Sequence, residues 1–272
     1  MSRYPQWSED AMTPVSWDPN QYLRHADLRS RPFFELVDRV PAAPKRVVDL
    51  GCGPGNTTAA LPARWPGAVV TGLDSSPEMI EQARRDHGLA VDFQVGDIAD
   101  YAPPSNGADR PDLILSNAAL QWVPGHLSLF PRWIAALPSG GALALQVPGN
   151  FDQPSHTLLT DLRNSPRWKA TVGGPHRADI PEPAEYLATL AGLDCSVDVW
   201  ETTYHQVLTG DHPVLDWMLG TGLRPALDAL PDPEQRADFL AEYGALLDSA
   251  YPRRSFGTVL PYRRVFAVAV KH

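Results

Sequence analysis

The sequence is poor in cysteine, in positive charge and in long apolar runs, and each shortage removes a class of protein. Only Cys52 and Cys195 occur among 272 residues, which excludes a disulfide framework and leaves no spacing typical of a metal site. No apolar run approaches the roughly 20 residues of a membrane-spanning helix. The first residues lack the apolar core of a secretory signal, so we expect a cytoplasmic protein that binds no metal.

Basic residues are too few to favour nucleic acid as a partner. The chain has 23 Lys and Arg against 32 Asp and Glu, a formal net charge of −9, and it contains no basic run. An anionic small molecule would therefore need a local group of positive charges. Almost all of the basic residues are arginines, which bind carboxylates through paired hydrogen bonds. Nothing in the sequence indicates a protein partner.

Apolar runs alternate with helical segments over the first 150 residues. An apolar stripe predicts a helix that ends before Pro41, and another helix is expected at 126–137. A third helix has Ser76 as its N-cap and Pro77 in its first turn. Short buried strands are predicted at 45–50, 68–73, 91–95, 112–116 and 141–147. Strands separated by helices predict a mostly parallel, doubly wound sheet.

The C-terminal half departs from this alternation. Residues 149–180 are polar and are expected to be irregular, whereas 183–190 are predicted to be helical. Residues 195–204 alternate like a strand. A helical insertion is predicted at 211–250, and 262–270 is expected to close the chain as an antiparallel strand.

The strongest motif is a glycine loop after the first strand, Asp49-Leu-Gly51-Cys-Gly53-Pro-Gly55. Glycines let the backbone approach a ligand closely, because no Cβ stands in the way. A dinucleotide site has the pattern G-x-G-x-x-G, and its third glycine would fall where this chain has Asn56. The G-x-G-x-G form preceded by Asp49 is typical of methyltransferases that bind S-adenosylmethionine.

Residues at the ends of the next strands extend this predicted cofactor site. Asp74, followed by Ser75, lies where an acid would bind the two ribose hydroxyls. Asp97 is placed to accept a hydrogen bond from the adenine amino group, and Ile98 to pack on the adenine ring. Asn117 ends the fourth strand, at the crevice where ligands of doubly wound sheets bind.

With these motifs, the chain resembles the trans-aconitate methyltransferase family from about Trp17 to Ala269. The cofactor segments VVDLGCGPGNTT and TGLDSSPEMI are shared by many methyltransferases. Further matching segments are WDPNQYL (17–23), RSRPFFEL (29–36) and TTYHQVL (202–208), and the most specific are NAALQW (117–122), TGLRP (221–225) and PYRRVFAVA (261–269). The resemblance implies methyl transfer from S-adenosylmethionine to one carboxylate of trans-aconitate, which gives a monomethyl ester and S-adenosylhomocysteine.

The expected fold is a Rossmann-like α/β methyltransferase fold with a mostly parallel seven-stranded sheet. We expect one catalytic domain over residues 1–272. Its cofactor-binding core would span about 40–148 together with the last strands. A helical cap on the acceptor side would span about 149–180 and 208–255.

Transfer to a carboxylate needs no general base, because a carboxyl group with a pKa of about 4 is already ionised at pH 7. The enzyme has to position the acceptor oxygen and exclude water. Arginines suit the two non-reacting carboxylates. The candidates are Arg224 in the insertion and, of the last-strand pair Arg263 and Arg264, the latter, because successive strand residues face opposite sides and the family motif favours Arg264.

Other predicted site residues surround these arginines. Arg29 or Arg31 is a candidate partner for the methionine carboxylate of the cofactor. The remaining acceptor-side candidates are Gln121, Trp122, Tyr204, His205, Trp217 and Tyr262.

Two other functions remain open at this point. A small-molecule methyltransferase with another polycarboxylate or a natural-product hydroxyl as acceptor is the first, and a hydroxyl would need a base such as His205 or His126. A cofactor-binding protein without activity is the second, and the intact glycine loop together with the acceptor-side arginines argues against it.

Overall fold

The computed structural model describes residues 26–272 except 42, 174–179 and 221. The motif WDPNQYL (17–23) and part of the segment 149–180 therefore lie outside the described residues. Within the described part of the chain, no helix has the length and apolar character needed to cross a membrane.

One seven-stranded sheet organises the fold, and its strand order is β3-β2-β1-β4-β5-β7-β6. Neighbouring strands from β3 to β5 are parallel, and β7 is antiparallel to both β5 and β6. This confirms the predicted mostly parallel seven-stranded sheet. The strands are β1 (Arg46–Leu50), β2 (Val69–Asp74), β3 (Asp92–Val95), β4 (Leu113–Asn117), β5 (Ala142–Pro148), β6 (Cys195–Leu208) and β7 (Thr258–Lys271).

The helices pack on both faces of this sheet. They are α1 (Ala26–Asp38), α2 (Leu61–Arg64), α3 (Pro77–His87), α4 (Phe130–Ala136), α5 (Pro154–Arg163), α6 (Lys169–Val172), α7 (Pro183–Ala191), α8 (Pro213–Leu219), α9 (Arg224–Asp228) and α10 (Pro233–Ala250). Helix α3 begins as predicted, with the Ser76 side chain accepting from the Met79 N–H and Pro77 in the first turn.

The apolar runs of the central strands explain why the sheet is buried on both sides. On β1, Val47 packs on one face, in the cluster that includes Phe33 of α1, and Leu50 packs on the other face. On β4, Leu113 and Ile114 are divided between the two faces in the same way. Because both faces are covered, the strands read as apolar runs rather than as alternating patterns.

Two helix predictions were wrong in detail. Residues 149–180 were assigned to the helical cap, but their local pattern was expected to be irregular, whereas α5 and α6 lie there. The prediction missed α5 because its buried apolar side chains are mainly Leu159 and Leu162, on a helix otherwise rich in polar residues. The single helix expected at 126–137 is a 3-10 turn (His126–Leu129) followed by α4, with Pro131 in the first turn of α4.

The last two strands are longer than expected. Strands β6 and β7 pair along their whole length, from Cys195 opposite Lys271 to Leu208 opposite Thr258. The predicted strands stopped at Tyr204 and began at 262. Proline supplies no N–H group for strand pairing, so the continuation of β7 across Pro261 was not foreseeable from local pattern.

The helical insertion packs beside the carboxyl edge of the sheet. Helix α10 packs against α5 and α8, and α8 also contacts β7. Tyr243 of α10 donates to the Ser155 carbonyl at 2.5 Å, and Tyr251 accepts from the Ser155 N–H at 3.0 Å, which fixes the start of α5. Hydrogen bonds of this kind between buried groups attach the insertion to the segment that follows β5.

Candidate active site

The glycine loop makes a tight turn at the carboxyl end of β1. The N–H groups of Gly51 and Cys52 both donate to the Leu73 carbonyl of β2, at 2.7 and 3.0 Å. Gly51 has a φ of +80°, and a Cβ added there would lie 2.2 Å from the Ala119 Cβ. Glycine is therefore required at Gly51 by close packing as well as by backbone conformation.

Gly53 meets a different requirement. Its φ is +55°, and an added Cβ would meet no described atom within 4 Å. Gly53 lines a cavity of about 570 Å³ that lies between the loop and the carboxyl ends of β2, β3 and β4. Predicted cofactor residues are prominent in the lining, which includes Asp49, Gly51, Gly53, Asp74, Ser75, Asp97, Ile98 and Asn117. Gly55 is not among the lining residues.

Asp74 connects the glycine loop to the end of β2. One carboxylate oxygen accepts from the Gly53 N–H at 2.8 Å, and the other accepts from the Ser76 N–H at 2.9 Å. Burial raises the pKa of Asp74, while these backbone hydrogen bonds oppose that rise. The contacts hold the carboxylate at the cavity wall, where the sequence had placed an acid.

Asp49 is buried beneath the same loop. Its Oδ2 accepts from the Thr58 hydroxyl at 2.6 Å, and its Oδ1 has no hydrogen-bond partner among the described residues. Burial raises the pKa of Asp49 to about 7, and the nearby Asp74 carboxylate adds to the rise. A buried acceptor atom without a partner is costly, so Asp49 suits a ligand that brings a donor or a positive charge.

The far wall of the cavity carries the other predicted residues. Asp97 accepts from the Ala99 N–H at 2.7 Å, which orders the turn after β3. Ile98 lies close to the glycine loop, since its Cδ1 would be 3.3 Å from a Cβ at Gly51. The residue after Asn117, Ala118, has a φ of +54°, a strained value for a residue with a side chain.

The charge of this cavity fits S-adenosylmethionine. Among the described residues that line the cavity, four are acidic (Asp49, Asp74, Glu78 and Asp97) and none is Lys or Arg. S-adenosylmethionine carries a sulfonium and an ammonium, which acidic residues attract, whereas the pyrophosphate of a dinucleotide would be repelled. The unpartnered Asp49 oxygen and the open space above Gly53 agree with that fit.

A second group of predicted residues forms a stacked cluster next to the sheet, which we call the arginine–aromatic cluster: Arg29, Trp217, Tyr262 and Arg264. The Arg264 guanidinium lies 3.7 Å from the Tyr262 ring centroid, and the Tyr262 and Trp217 rings meet edge to face at 5.1 Å. Arg29 stacks on Trp217 at 4.7 Å and donates to the Trp217 carbonyl at 2.9 Å. All four side chains are buried.

Tyr204 of β6 and Arg31 of α1 extend this cluster. The Tyr204 ring lies 6.3 Å from Tyr262, and the Arg31 guanidinium lies 4.7 Å from the Tyr204 ring. The Tyr204 hydroxyl donates to Glu35 of α1. Either Arg29 or Arg31 was predicted to reach the methionine carboxylate of the cofactor, and neither is among the described residues that line the glycine-loop cavity.

Gln146 joins the two groups, and the sequence had not singled it out. Its side-chain amide Nε2 donates to the Asn117 Oδ1 at 2.6 Å, and its Oε1 accepts from the Arg264 guanidinium at 3.2 Å. Gln146 is 1% exposed, in the middle of the apolar strand β5. A polar residue in a predicted buried strand was the available signal, because such residues need hydrogen-bond partners.

Several predicted residues lie apart from the stacked cluster. His205 is exposed on β6, whereas its neighbours Tyr204 and Gln206 are buried. Arg224 begins α9, with its guanidinium 3.6 Å from Asp228. Trp122 lines the cavity and remains 41% exposed, while Gln121 donates to the Ala118 carbonyl at 2.6 Å.

His126 and Arg263 hold the surrounding structure. The two His126 ring nitrogens lie 3.1 Å from the Val123 carbonyl and 2.7 Å from the Tyr186 hydroxyl, and burial lowers the pKa of His126. Arg263 points away from Arg264, to Glu182 and Glu201. It also donates to the Gly149 carbonyl at 3.0 Å.

Comparison with known proteins agrees with this geometry. A family model described as a methyltransferase domain matches residues 47–141. The trans-aconitate 2-methyltransferase of Streptomyces coelicolor is 53% identical over 271 residues, which cover 95% of this chain and 88% of the relative. The trans-aconitate 2-methyltransferase of Rhodococcus jostii is 53% identical over 258 residues, covering 93% of this chain and 98% of the relative.

Solved structures share the fold at low sequence identity. The YcgJ protein of Bacillus subtilis matches with a TM-score of 0.54 at 16% identity, over 88% of this chain and 97% of that protein. The phosphoethanolamine N-methyltransferase 2 of Haemonchus contortus, solved with S-adenosyl-L-methionine, matches with a TM-score of 0.53 at 17% identity, over 88% of this chain and 51% of that protein. The fold is therefore the Rossmann-like class I methyltransferase fold.

Proposed function

This chain belongs to the trans-aconitate 2-methyltransferase family, and we propose that it methylates one carboxylate of trans-aconitate to give a monomethyl ester. S-adenosylmethionine, when bound, supplies the methyl group on a positively charged sulfur and leaves as S-adenosylhomocysteine. The proposed partner of the protein is thus a small polycarboxylate.

One observation carries the choice of a carboxylate acceptor. Arg264 is a buried cation in an acidic chain, and a single glutamine connects it to Asn117 at the cavity wall. A guanidinium binds a carboxylate through paired hydrogen bonds. Placing it beside the cofactor cavity makes sense if the acceptor is itself an anion.

The residues of the glycine-loop cavity would hold the cofactor. We infer that Asp74, with Ser75, accepts from the ribose hydroxyls, and that Asp97 and Ile98 receive the adenine. Asp49 is suited to the ammonium group, because its Oδ1 is buried and has no partner among the described residues.

The residues on the acceptor side would position the acceptor carboxylate and would not need to activate it by removing a proton. A carboxylate is ionised at pH 7, so no proton has to be removed before its oxygen attacks. Arg264 would bind one non-reacting carboxylate through its fork of N–H groups, and Arg224 remains the candidate for the other. Trp217, Tyr262 and Tyr204 would exclude water from this region, which strengthens each charge interaction.

The histidines do not favour a hydroxyl acceptor. His126 is buried with both ring nitrogens close to structural partners, and His205 is exposed on β6. Neither is among the residues that line the cavity. A hydroxyl acceptor would need a base within hydrogen-bond reach of its proton.

The direct experiment is to incubate the protein with S-adenosylmethionine and trans-aconitate and to identify the product by mass spectrometry. We expect a monomethyl ester and an equal amount of S-adenosylhomocysteine. A panel with cis-aconitate, citrate, a dicarboxylate and a fatty acid compares the other acceptors. Turnover of one of these with none of trans-aconitate would leave a methyltransferase and reject the proposed substrate.

A further inference from the structure

Gln146 occupies a position where a polar side chain is costly unless it serves a purpose. It lies in β5, between β4 and β7, with Leu145 and Val147 fully buried on either side. Both ends of its amide are hydrogen-bonded, to Asn117 at 2.6 Å and to Arg264 at 3.2 Å. Its backbone carbonyl also accepts from the Ala118 N–H at 2.8 Å. Gln146 thus supports the cavity wall at 117–118 through its backbone and its side chain.

The chemistry of arginine fixes the direction of this hydrogen-bond chain. A guanidinium can only donate, so the atom of Gln146 that faces Arg264 has to be the amide oxygen. The Gln146 NH₂ group therefore faces Asn117 and donates to the Asn117 Oδ1. Because the Asn117 Oδ1 accepts this hydrogen bond, the other end of the Asn117 amide is its NH₂ group, which is a donor.

From the direction of these hydrogen bonds, we infer that Gln146 is a positioning residue that selects a carboxylate as the acceptor. Arg264 and Asn117 become hydrogen-bond donors of fixed orientation, one on each side of Gln146. A carboxylate can use both, because it only accepts hydrogen bonds when ionised. A hydroxyl acceptor would instead need an acceptor atom to receive its proton. The inference rests on the proposed function, and it adds a residue that touches neither the acceptor nor the cofactor.

The test is the isosteric variant Gln146→Glu, which keeps the shape of the side chain but replaces its NH₂ donor by an acceptor oxygen and adds a negative charge. Glutamate cannot donate, so Asn117 has to turn its NH₂ group towards Glu and present its oxygen to the cavity. The new carboxylate also neutralises Arg264. Gln146→Met removes both hydrogen bonds without adding charge. Gln235→Glu is the control, because Gln235 is exposed on α10 and receives the same change of charge.

Binding of trans-aconitate to the S-adenosylhomocysteine complex, measured by calorimetry, is the main readout. We expect Gln146→Glu to weaken it about 100-fold or more, as expected when a charged ligand loses a buried partner. Affinity for S-adenosylhomocysteine alone should fall by a much smaller factor, because Gln146 is not among the residues that line the cofactor cavity and reaches it only through Asn117 and Ala118. Gln235→Glu should match the wild type in both measurements. In kinetics, Gln146→Glu should raise the KM for trans-aconitate much more than the KM for S-adenosylmethionine.

Each other result has a definite meaning. If Gln146→Glu and Gln146→Met both bind trans-aconitate like the wild type, the inference is wrong. The same holds if they lose affinity for S-adenosylhomocysteine by the same factor, because Gln146 would then support the fold or the cofactor site. If the wild type neither binds nor methylates trans-aconitate, the proposed function fails, and the inference fails with it.

Discussion

At the scale of single residues, the neighbours Arg263 and Arg264 have opposite surroundings. Strand geometry sends adjacent side chains to opposite faces, so Arg263 reaches Glu182 and Glu201 while Arg264 is buried against Tyr262. A family motif could select Arg264, but only the sheet shows what each arginine contacts. The two neighbouring arginines of this motif are therefore expected to have different roles, which can be tested separately.

Replacing Arg264 should damage the acceptor side alone. We expect Arg264→Ala to lower kcat/KM for trans-aconitate by about 100-fold or more, because a substrate charge loses its buried partner. Arg264→Lys should recover only part, since an ammonium lacks the planar fork. Steady-state kinetics with trans-aconitate varied at saturating S-adenosylmethionine measure this. Arg263→Ala is the comparison, and we expect it to lower thermal stability with a smaller effect on KM. Near-normal kinetics in Arg264→Ala would reject the assignment.

Asp49 should make stability depend on pH when no cofactor is bound. Its pKa is raised from 3.8 to about 7 in the folded protein, so the folded state binds the proton more tightly than the unfolded state. Stability therefore falls as the pH rises from about 4 through 7. Asp49→Asn removes this titration. The free energy of unfolding of the variant, relative to that of the wild type, should therefore rise between pH 5 and pH 8 by on the order of 1 to 3 kcal/mol. Urea unfolding of both proteins at pH 5 and pH 8 measures this change. If the difference in stability between variant and wild type is the same at both pH values, the prediction is wrong.

At the scale of secondary structure elements, α1 is fastened to β6 by one carboxylate. Glu35 accepts from the Trp200 indole at 3.1 Å, the Thr202 hydroxyl at 2.6 Å and the Tyr204 hydroxyl. Those donors are two residues apart on β6, so they share one face of the strand. Partial burial raises the pKa of Glu35, but these hydrogen bonds outweigh it and lower that pKa below its usual value. The attachment holds α1, which carries Arg29, against the sheet.

Glu35→Gln should loosen this attachment. We expect a loss of about 1 to 2 kcal/mol in the free energy of unfolding at pH 7, because hydrogen bonds to a charged group become neutral ones. The loss should shrink as the pH falls below the ordinary glutamate pKa of 4.5 and through the lowered pKa of folded Glu35, since wild-type Glu35 then becomes protonated as well. Asp198→Asn is the control, because the exposed pair of Asp198 with Arg39 joins β6 to the residue that directly follows α1 and should contribute less than about 0.5 kcal/mol. Urea unfolding of the two variants measures both losses of unfolding free energy. An equal loss in Glu35→Gln and Asp198→Asn would contradict the prediction.

Element-scale prediction succeeded where the signal was local. The central strands and the start of α3 depend on apolar runs, caps and glycines that lie within a few residues of one another. Glu35 and Thr202 are 167 residues apart, and Gln146 and Arg264 are 118 apart, so no local pattern could pair them. Helix α5 was missed because its own sequence is largely polar, and α10, against which it packs, lies far along the chain.

At the scale of the whole molecule, the sheet brings the two sites to one edge. The strand order places β4 beside both β1 and β5, so Asn117 stands between the glycine loop and Gln146. The antiparallel strand β7 then brings Arg264 opposite Pro148, at the same end of β5. Acidic residues gather in the cavity and buried arginines beside it, although the whole chain carries a net charge of −9. This separation of charge suits a cationic cofactor and an anionic acceptor.

The charge of the cavity predicts which cofactor stabilises the whole protein. Ligand that binds only the folded state at 100 times its dissociation constant adds about 2.7 kcal/mol, which corresponds to a rise in Tm of several degrees. We expect S-adenosylhomocysteine and S-adenosylmethionine to produce that rise and NAD to produce none, since the acidic lining of the cavity repels a pyrophosphate. Thermal unfolding with each ligand measures the effect. Asp74→Ala should reduce the rise, because S-adenosylhomocysteine should bind that variant about 1 to 3 kcal/mol more weakly. A rise with NAD, or one unaffected by Asp74→Ala, would show that the ligand binds by other contacts than those of this cavity.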